Sequence, residues 1–501
     1  MPANTNFCID ILCTFEEKEL KKFRDFVSCR YFNADKYVIH LLKILERKII
    51  LDKRTFDADM KDIIREELFE ERSPKDKNEN KYEKLKKENA LFNTKMNMLQ
   101  KLAENFLAIQ TMESNETLKY ELLYPQLLER KLFKLFERHA NKSRKLLDKQ
   151  TIKAAEDYGQ IYRTELKFYE FLFVNNRLGK EDNFSKMIYH LDIYYIISNL
   201  HIRLPALALK TKVKTKKYNF PPMKRLDSLI QYPKYAKHPI IMLYLASIDL
   251  QQSKTQKAYR KLQNLLINNT NIIPEKLLKG FYTIAISHCT RKIREGGVEY
   301  RKNMFDLYQT MHEHGLMLED GIILPNQLKN MITIGCKEKE FQWTEDITNY
   351  YRPFVLKSIR ESVYNYNLGV IAFYQKKYDL AHERFIQVHD VSLIYDINVR
   401  VMILKCYYEK ARLKKDDKDY NENIVGTMRV TKAYFKNKKE LSISKRRGYK
   451  NFVQILIYLY RLLHQEGKMT LKRIKEKLDE QKVNEDKQWL LEKIAELEKR
   501  R

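Results

Sequence analysis

Glycine and proline are so scarce in this chain that few fold classes can accommodate it. Of 501 residues only 12 are Gly and 11 are Pro, against typical usage of roughly 7% and 5%. Rossmann, barrel and sandwich folds need many sharp turns, which use these two residues. Long stretches rich in Leu, Lys and Glu separate the few breaks. We therefore predict an all-α protein with few turns at positive φ.

In the last half of the chain the helical patterns come in pairs. A first pair spans HPIIMLYLASIDLQQ and TQKAYRKLQNLLINN, residues 238–252 and 255–269. Four further pairs and a final unit follow, at a spacing of roughly 33 to 45 residues, which is typical of helical repeats. The tail, EDKQWLLEKIAELEKRR, is predicted to form an amphipathic closing helix.

The clearest unit is YNYNLGVIAFYQKKYDLAHERF, residues 364–385. Small residues stand where two helices would cross, with bulky residues around them; together these repeat-packing positions are Leu368, Gly369, Tyr378, Ala381 and Phe385. The segment resembles a tetratricopeptide repeat (TPR), a helix–turn–helix unit of 34 residues. The resemblance implies a right-handed superhelix of antiparallel helix pairs, a TPR-like α-solenoid, with one clear repeat at about 361–391 and degenerate neighbours.

Two alternatives to a TPR array remain open. Asn365 and Ala372 stand where the family has a bulky and an aromatic residue, so the chain also fits an irregular helical bundle that contains one such hairpin. Residues 303–341 look like a pentatricopeptide unit, a family whose arrays bind single-stranded RNA. The base-reading positions of that family do not recur in adjacent units, so we interpret this segment as a related helical hairpin.

The patterns divide the chain into four parts. Residues 1–70 are expected to form an N-terminal helical module, and residues 71–89 a charged linker. Residues 90–227 form a region of long helices that includes a basic segment with two prolines at 207–227. Residues 228–501 carry the TPR-like repeats and the closing C-terminal helix.

The chain is strongly basic, with a net charge of +29 from 95 Lys+Arg against 66 Asp+Glu. An excess of positive charge attracts polyanions, so RNA, the ribosome or DNA are possible partners. The alternative is a compositional bias toward Lys, Asn, Ile and Tyr without a functional meaning.

Helical arrays bind partners through the first helix of each pair, on a concave face. The TPR resemblance implies that Lys, Arg and Asn side chains on these helices hold the carboxylate end of a peptide. The candidate concave-face residues are Asn365, Asn367, Arg400 and Lys405. The full basic set of the peptide-clamping relatives is not present, and an ordinary solvated helix surface is the alternative.

Basic clusters with aromatic neighbours are candidate polyanion contacts. The first cluster comprises Lys210, Lys212, Lys214, Lys216, Lys217, Lys224 and Arg225. The second comprises Lys438, Lys439, Lys445, Arg446 and Arg447, with Lys436 and Lys450 beside them. A third, smaller cluster ends the chain at 499–501. Solvated loops are the simpler interpretation of such charge runs.

Motifs of catalysis, cofactor binding and metal binding are missing from the sequence. The chain lacks a P-loop, a GxGxxG, an HExxH and a GxSxG, so we predict that it is not an enzyme and takes no cofactor or metal. The six cysteines contain no CxxC pair and are expected to be buried, reduced thiols. We find no signal peptide and no membrane span, and expect a cytoplasmic protein.

Two functional hypotheses follow. In the first, the chain is a non-enzymatic scaffold that binds another protein through its concave face. In the second, it is a helical-repeat protein that binds RNA, the ribosome or DNA through its basic clusters. A DNA-binding N-terminal helix-turn-helix is a variant of the second, although SCRYFNADKYV, residues 28–38, lacks the glycine often found in such turns.

Overall fold

The computed structural model of the chain describes residues 6–51, 55–70, 81–148, 154–175, 177, 183–212, 224–413, 419–464, 469–481 and 483–499. These residues form 24 α-helices and contain no β-strand. The all-α prediction is therefore confirmed.

The chain divides into two compact units. The first comprises Met1–Gln150 and Gly159–His190, and the second Thr151–Tyr158 and Leu191–Arg501. The boundaries predicted from the sequence stay predictions. The predicted linker, residues 71–89, lies partly outside the described residues, and its last part belongs to a long helix that begins at Lys81.

The early helices up to α9 are α1 (Phe7–Leu12), α2 (Glu17–Ser28), α3 (Lys36–Leu45), α4 (Ala58–Phe69), α5 (Lys81–Ser114), α6 (Glu116–Glu129), α7 (Phe133–Asp148), α8 (Ala155–Val174) and α9 (Asn183–Lys212). The amphipathic stripe of α2 buries Phe23 and Val27 in one core with Leu41 of α3 and Leu99 of α5. The helix start at α3 is fixed by Asp35, whose side chain accepts a hydrogen bond from the Tyr37 backbone N–H at 2.9 Å. The apolar stripe of α2 is therefore the face that packs in this core.

The remaining helices, all in the second unit, are α10 (Lys224–Ile230), α11 (Pro233–Ala236), α12 (Pro239–Ser253), α13 (Gln256–Asn269), α14 (Glu275–Arg294), α15 (Tyr300–Glu313), α16 (Pro325–Lys337), α17 (Phe341–Tyr351), α18 (Arg360–Tyr374), α19 (Tyr378–Ile386), α20 (Leu393–Leu413), α21 (Asp419–Asn437), α22 (Ile443–Leu463), α23 (Leu471–Glu480) and α24 (Lys487–Glu498). The pairs α12/α13, α14/α15, α16/α17 and α18/α19 each pack against each other, as do α20 and α21. All five predicted helix pairs are present.

The hairpin α18/α19 closes tightly around Gly369. A Cβ added to Gly369 would lie 2.8 Å from the ring of Phe385, and both Phe385 and Ala381 are fully buried. Gly335 of α16 is equally confined, since its added Cβ would lie 2.6 Å from the Thr344 methyl group in α17. Glycine in these helices therefore permits close packing between the members of a pair.

Residues with positive φ are few in the described part of the chain, as the scarcity of glycine predicts, but most of them are not glycine. Seven non-glycine residues have positive φ in the described part of the chain. Three of them are lysines that follow the first helix of a pair: Lys254, Lys339 and Lys376, at φ 56°, 65° and 64°. We call these the turn lysines. Because glycine is scarce, most of these few left-handed positions are occupied by other residues.

Helices α20 to α24 share one core at the end of the chain. Trp489 and Leu490 of the closing helix α24 are buried in it, and the Trp489 ring lies 5.5 Å from that of Tyr408 in α20. The predicted amphipathic C-terminal helix is confirmed, and it packs on the first helix of the fifth pair.

Candidate functional site

The second unit contains a cavity of about 450 Å³ between α15, α16, α18, α20 and α24. Its size lies within the range of roughly 300–1,000 Å³ that is usual for ligand pockets. Helices α16 and α18 end at the cavity, and α24 begins there. Because α16 and α18 end in turns of the same type, their turn lysines, Lys339 and Lys376, lie at equivalent places and both line it.

Positive charge exceeds negative charge around this cavity. Its cationic side chains are Arg301, Lys337, Lys339, Lys376 and Lys405. Its carboxylates are Asp486 and Glu492. Phe341, Tyr374 and Trp489 add aromatic surface. The cavity therefore suits an anionic ligand that also offers some apolar surface.

Lys405 and Asp486 neutralise each other. They form an ion pair, and the Lys405 side chain is only 6% exposed. Burial by itself would raise the pKa of Asp486, but the ammonium of Lys405 outweighs it and holds that pKa below its usual range. The Lys405 ammonium also lies 4.9 Å from the centre of the Trp489 ring. Lys405 thus anchors the start of α24 instead of offering a free charge.

Arg301 and Lys337 are compensated only in part. The Arg301 guanidinium lies 3.8 Å from a Glu492 oxygen, and its buried Nε has no hydrogen-bond partner among the described residues. Burial lowers the pKa of Lys337 although the carboxylates of Asp486 and Glu492 act to raise it. Among the described residues no carboxylate lies within ion-pair distance of Lys337. Both groups would gain from an anion placed in the cavity.

Further ion pairs hold α24 against the face of α20. Glu409 of α20 is buried and accepts from Lys493 of α24 at 2.7 Å and from Arg412 at 2.8 Å. Arg412 in turn contacts Glu496 at 3.0 Å. This face of α20 therefore binds the amphipathic helix α24 through alternating charges and one aromatic residue.

The other predicted concave-face residues lie away from the cavity lining. Asn365 accepts a hydrogen bond from Arg384 at 3.0 Å. Asn367 is fully buried, and neither polar atom of its side chain has a hydrogen-bond partner among the described residues. Arg400 pairs with Asp396 at 3.0 Å and lies over the Tyr434 ring. Their binding role, like that of Lys405, stays a prediction.

The predicted polyanion contacts are placed only in part. The side chains of the first cluster, Lys210, Lys212, Lys214, Lys216, Lys217, Lys224 and Arg225, lie outside the described residues. In the second cluster Lys438 pairs with Glu440 at 3.3 Å and Lys445 with Glu485 at 2.8 Å. Two charges of this cluster are therefore already matched by carboxylates, and its role also stays a prediction.

Sequence reasoning missed four cations of the cavity: Arg301, Lys337, Lys339 and Lys376. A signal for two of them was present, because a lysine recurs at the turn of three helix pairs, in SKT, EKE and QKK. Arg301 and Lys337 carry no such signal, since only the packing of α15, α16 and α24 brings them together.

Four of the six cysteines are buried, whereas Cys13 and Cys29 are exposed, against expectation; all six are free thiols. Cys336 lines the cavity, and burial raises the pKa of its thiol, which disfavours the reactive thiolate. Among the described residues, no group of three His, Cys, Asp or Glu side chains is arranged to hold a metal ion. No helix within the described ranges has the length and hydropathy needed to cross a membrane.

Comparisons of the chain with protein-family models, with curated proteins and with solved structures find no match in any of the three. The TPR resemblance therefore rests on the residues of the α18/α19 hairpin and on the recurring helix pairs alone.

Proposed function

We propose that this chain is a non-enzymatic, TPR-like helical-repeat scaffold of the cytoplasm that binds an acidic segment of another protein. The observation that carries this proposal is the cationic cavity, to which the first helices of three successive pairs, α16, α18 and α20, contribute. An array that presents equivalent helix ends to one side offers a continuous surface to an extended or helical partner.

The contacts between α24 and α20 favour a protein segment as the ligand. Lys405, Glu409 and Arg412 of α20 bind acidic and basic groups of that helix on either side of Trp489. A face with this pattern recognises an amphipathic segment by charge as well as by apolar packing. The neighbouring faces of α16 and α18 end at the cavity, where acidic side chains of a partner segment would meet Lys337, Lys339 and Lys376, which have no carboxylate within ion-pair distance among the described residues.

The second candidate function is binding of RNA, the ribosome or DNA, which is favoured by the net charge of +29. Counterion release makes such binding strong at low salt and weak at high salt. The carboxylate partners of Lys438 and Lys445 weaken this candidate for the second basic cluster, since those charges are partly neutralised.

Affinity capture from native lysate separates the two candidates. The tagged chain is compared with a Lys376→Glu variant, which reverses a charge of the cavity, and with Lys254→Glu as the matched control. Lys254 is a turn lysine of the same backbone conformation, and it does not line the cavity. Each capture is performed with and without nuclease and at raised salt.

The scaffold proposal expects proteins that persist after nuclease treatment and are lost with Lys376→Glu but kept with Lys254→Glu. Capture that disappears on nuclease treatment, in all three forms of the chain, contradicts the proposal and supports the polyanion candidate. Equal loss of captured protein with Lys376→Glu and with Lys254→Glu would place the binding surface outside the cavity. That outcome would also contradict the scaffold proposal.

A further inference from the structure

The cavity of the second unit has more unmatched positive charge than a single carboxylate can compensate. Lys405 is matched by Asp486, and the guanidinium of Arg301 faces Glu492 at 3.8 Å. Lys337, Lys339 and Lys376 have no carboxylate within ion-pair distance among the described residues. The site therefore favours a ligand that brings more than one negative charge.

Two of the cavity's cations lie in its interior, and two lie at its rim. Arg301 and Lys337 are partly buried, and the buried Nε of Arg301 lacks a hydrogen-bond acceptor. Lys339 and Lys376 are exposed, on the two equivalent turns that border the cavity. A compact anion with several acceptor oxygens would contact the interior pair, while the rim lysines attract it and restrict its escape.

We propose that this cavity is a binding site for a phosphate monoester, which Arg301 and Lys337 contact and which Lys339 and Lys376 enclose. This assignment rests on the proposed function, because the phosphate belongs to a phosphorylated side chain of the bound protein segment. A phosphate monoester brings a charge of about −1.5 to −2 at neutral pH and three acceptor oxygens, whereas a glutamate side chain brings one charge and two oxygens. Burial already lowers the pKa of the Lys337 ammonium, and a nearby dianion would reverse that effect.

Calorimetric titration of the full chain with O-phospho-L-serine tests this proposal, with inorganic phosphate and L-glutamate as comparison ligands. The test variants are Lys337→Met and Arg301→Gln, which remove one interior charge each. Lys254→Met is the matched control, because it removes a turn lysine outside the cavity. Thermal unfolding of each variant shows whether it retains its fold.

We expect O-phospho-L-serine to bind more tightly than L-glutamate. A folded Lys337→Met or Arg301→Gln variant should bind it at least about tenfold more weakly, the loss typical of one charge-assisted hydrogen bond, and Lys254→Met should bind unchanged. Inorganic phosphate that binds as well as phosphoserine identifies the phosphate group itself as the recognised element. Phosphoserine that binds no more tightly than glutamate, or equally well to wild type and both folded interior variants, overturns the proposal.

The two proposals fail separately. If phosphoserine does not bind, while nuclease-resistant capture of proteins still depends on Lys376, the phosphate inference is wrong and the scaffold proposal stands. If phosphoserine binds as expected and no protein is captured, the anion site stands, and both its assignment to a partner protein and the scaffold proposal are wrong.

Discussion

Gly369 owes its importance to the ring that lies opposite it in α19. Phe385 is fully buried, so it has little room to move away from a larger residue at position 369. In the preceding pair, the small residue is Gly335 and the group opposite it is the Thr344 methyl. Both of these hairpins, α16/α17 and α18/α19, therefore combine a glycine on the first helix with a bulkier residue on the second, although the positions differ between the two pairs.

The variant Gly369→Ala tests this close approach. The new Cβ would meet the buried Phe385 ring, so we expect the free energy of unfolding to fall by about 1–3 kcal/mol, the usual cost of overpacking. The measurement is urea denaturation followed by far-UV circular dichroism.

The control is Gly426→Ala in α21, where an added Cβ meets nothing within 4 Å. Alanine has the higher helix propensity, so this variant should gain about 0.5–1 kcal/mol. Similar changes at both positions would mean that Gly369 is not confined by packing.

The turn lysines are the feature of interest at the scale of whole elements. The turn after α18 is closed by a hydrogen bond from the Lys377 N–H to the Ala372 carbonyl at 2.9 Å, and the turn after α16 by an equivalent bond from Glu340 to Gly335 at 3.0 Å. Glycine usually occupies the left-handed position of such helix ends. Lysine there costs conformational energy but places an ammonium group at the end of each first helix.

Lys254→Gly should therefore stabilise the protein. The residue is exposed, has φ of 56° and lies outside the cavity. Removal of its Cβ relieves the left-handed strain, and we expect a gain of roughly 0.5–1 kcal/mol after the greater freedom of glycine in the unfolded chain is subtracted.

The comparison variant is Lys254→Ala, which removes the same charge and keeps the Cβ. It should leave the free energy of unfolding almost unchanged, as measured by urea denaturation. If alanine stabilises as much as glycine, the gain comes from the lost charge and the strain argument is wrong.

At the scale of the whole molecule, acid pH should destabilise the second unit through its buried histidines. Burial lowers the pKa values of His238 and His288 to about 4, compared with about 6.5 in an unfolded chain. Between these values the unfolded state binds more protons than the folded state, so stability falls as pH decreases from about 6.5 toward 4 and does not change above about pH 7.

We expect the two residues together to lower the free energy of unfolding by roughly 2–4 kcal/mol between pH 7 and pH 5. The double variant His238→Gln, His288→Gln should lose most of this pH dependence, whatever its stability at pH 7. Urea denaturation of both proteins at several pH values provides the comparison. An unchanged slope in the double variant would show that other groups cause the acid sensitivity.

Much of the fold could be predicted from the sequence, because its signals are local. The helical class, the five pairs and the closing helix all follow from apolar periodicity and the positions of breaks. The prediction of few positive-φ turns follows from another local signal, the scarcity of glycine. That signal did not report that lysine and aspartate hold most of these positions.

Of the cations that line the cavity, only Lys405 was predicted from the sequence. The turn lysines Lys339 and Lys376 carry a sequence signal that could have found them. Whether a charge is available depends on which carboxylate packs beside it, and the partner of Lys405 is Asp486, in another helix far along the chain. An even greater distance in sequence separates Arg301 from Glu492. No local pattern reports such pairings, since the packing of α24 against α20 creates the first and its packing against α15 the second.

The sequence by itself thus determined the helices, their pairing and the close crossing at Gly369, since each depends on residues that are neighbours or nearly so. The tertiary structure alone decided where the cations meet, which of them are neutralised and that a cavity lies between them. The physical reason is that propensity, periodicity and capping act within a few turns of chain, whereas burial and charge compensation depend on contacts between residues that folding brings together.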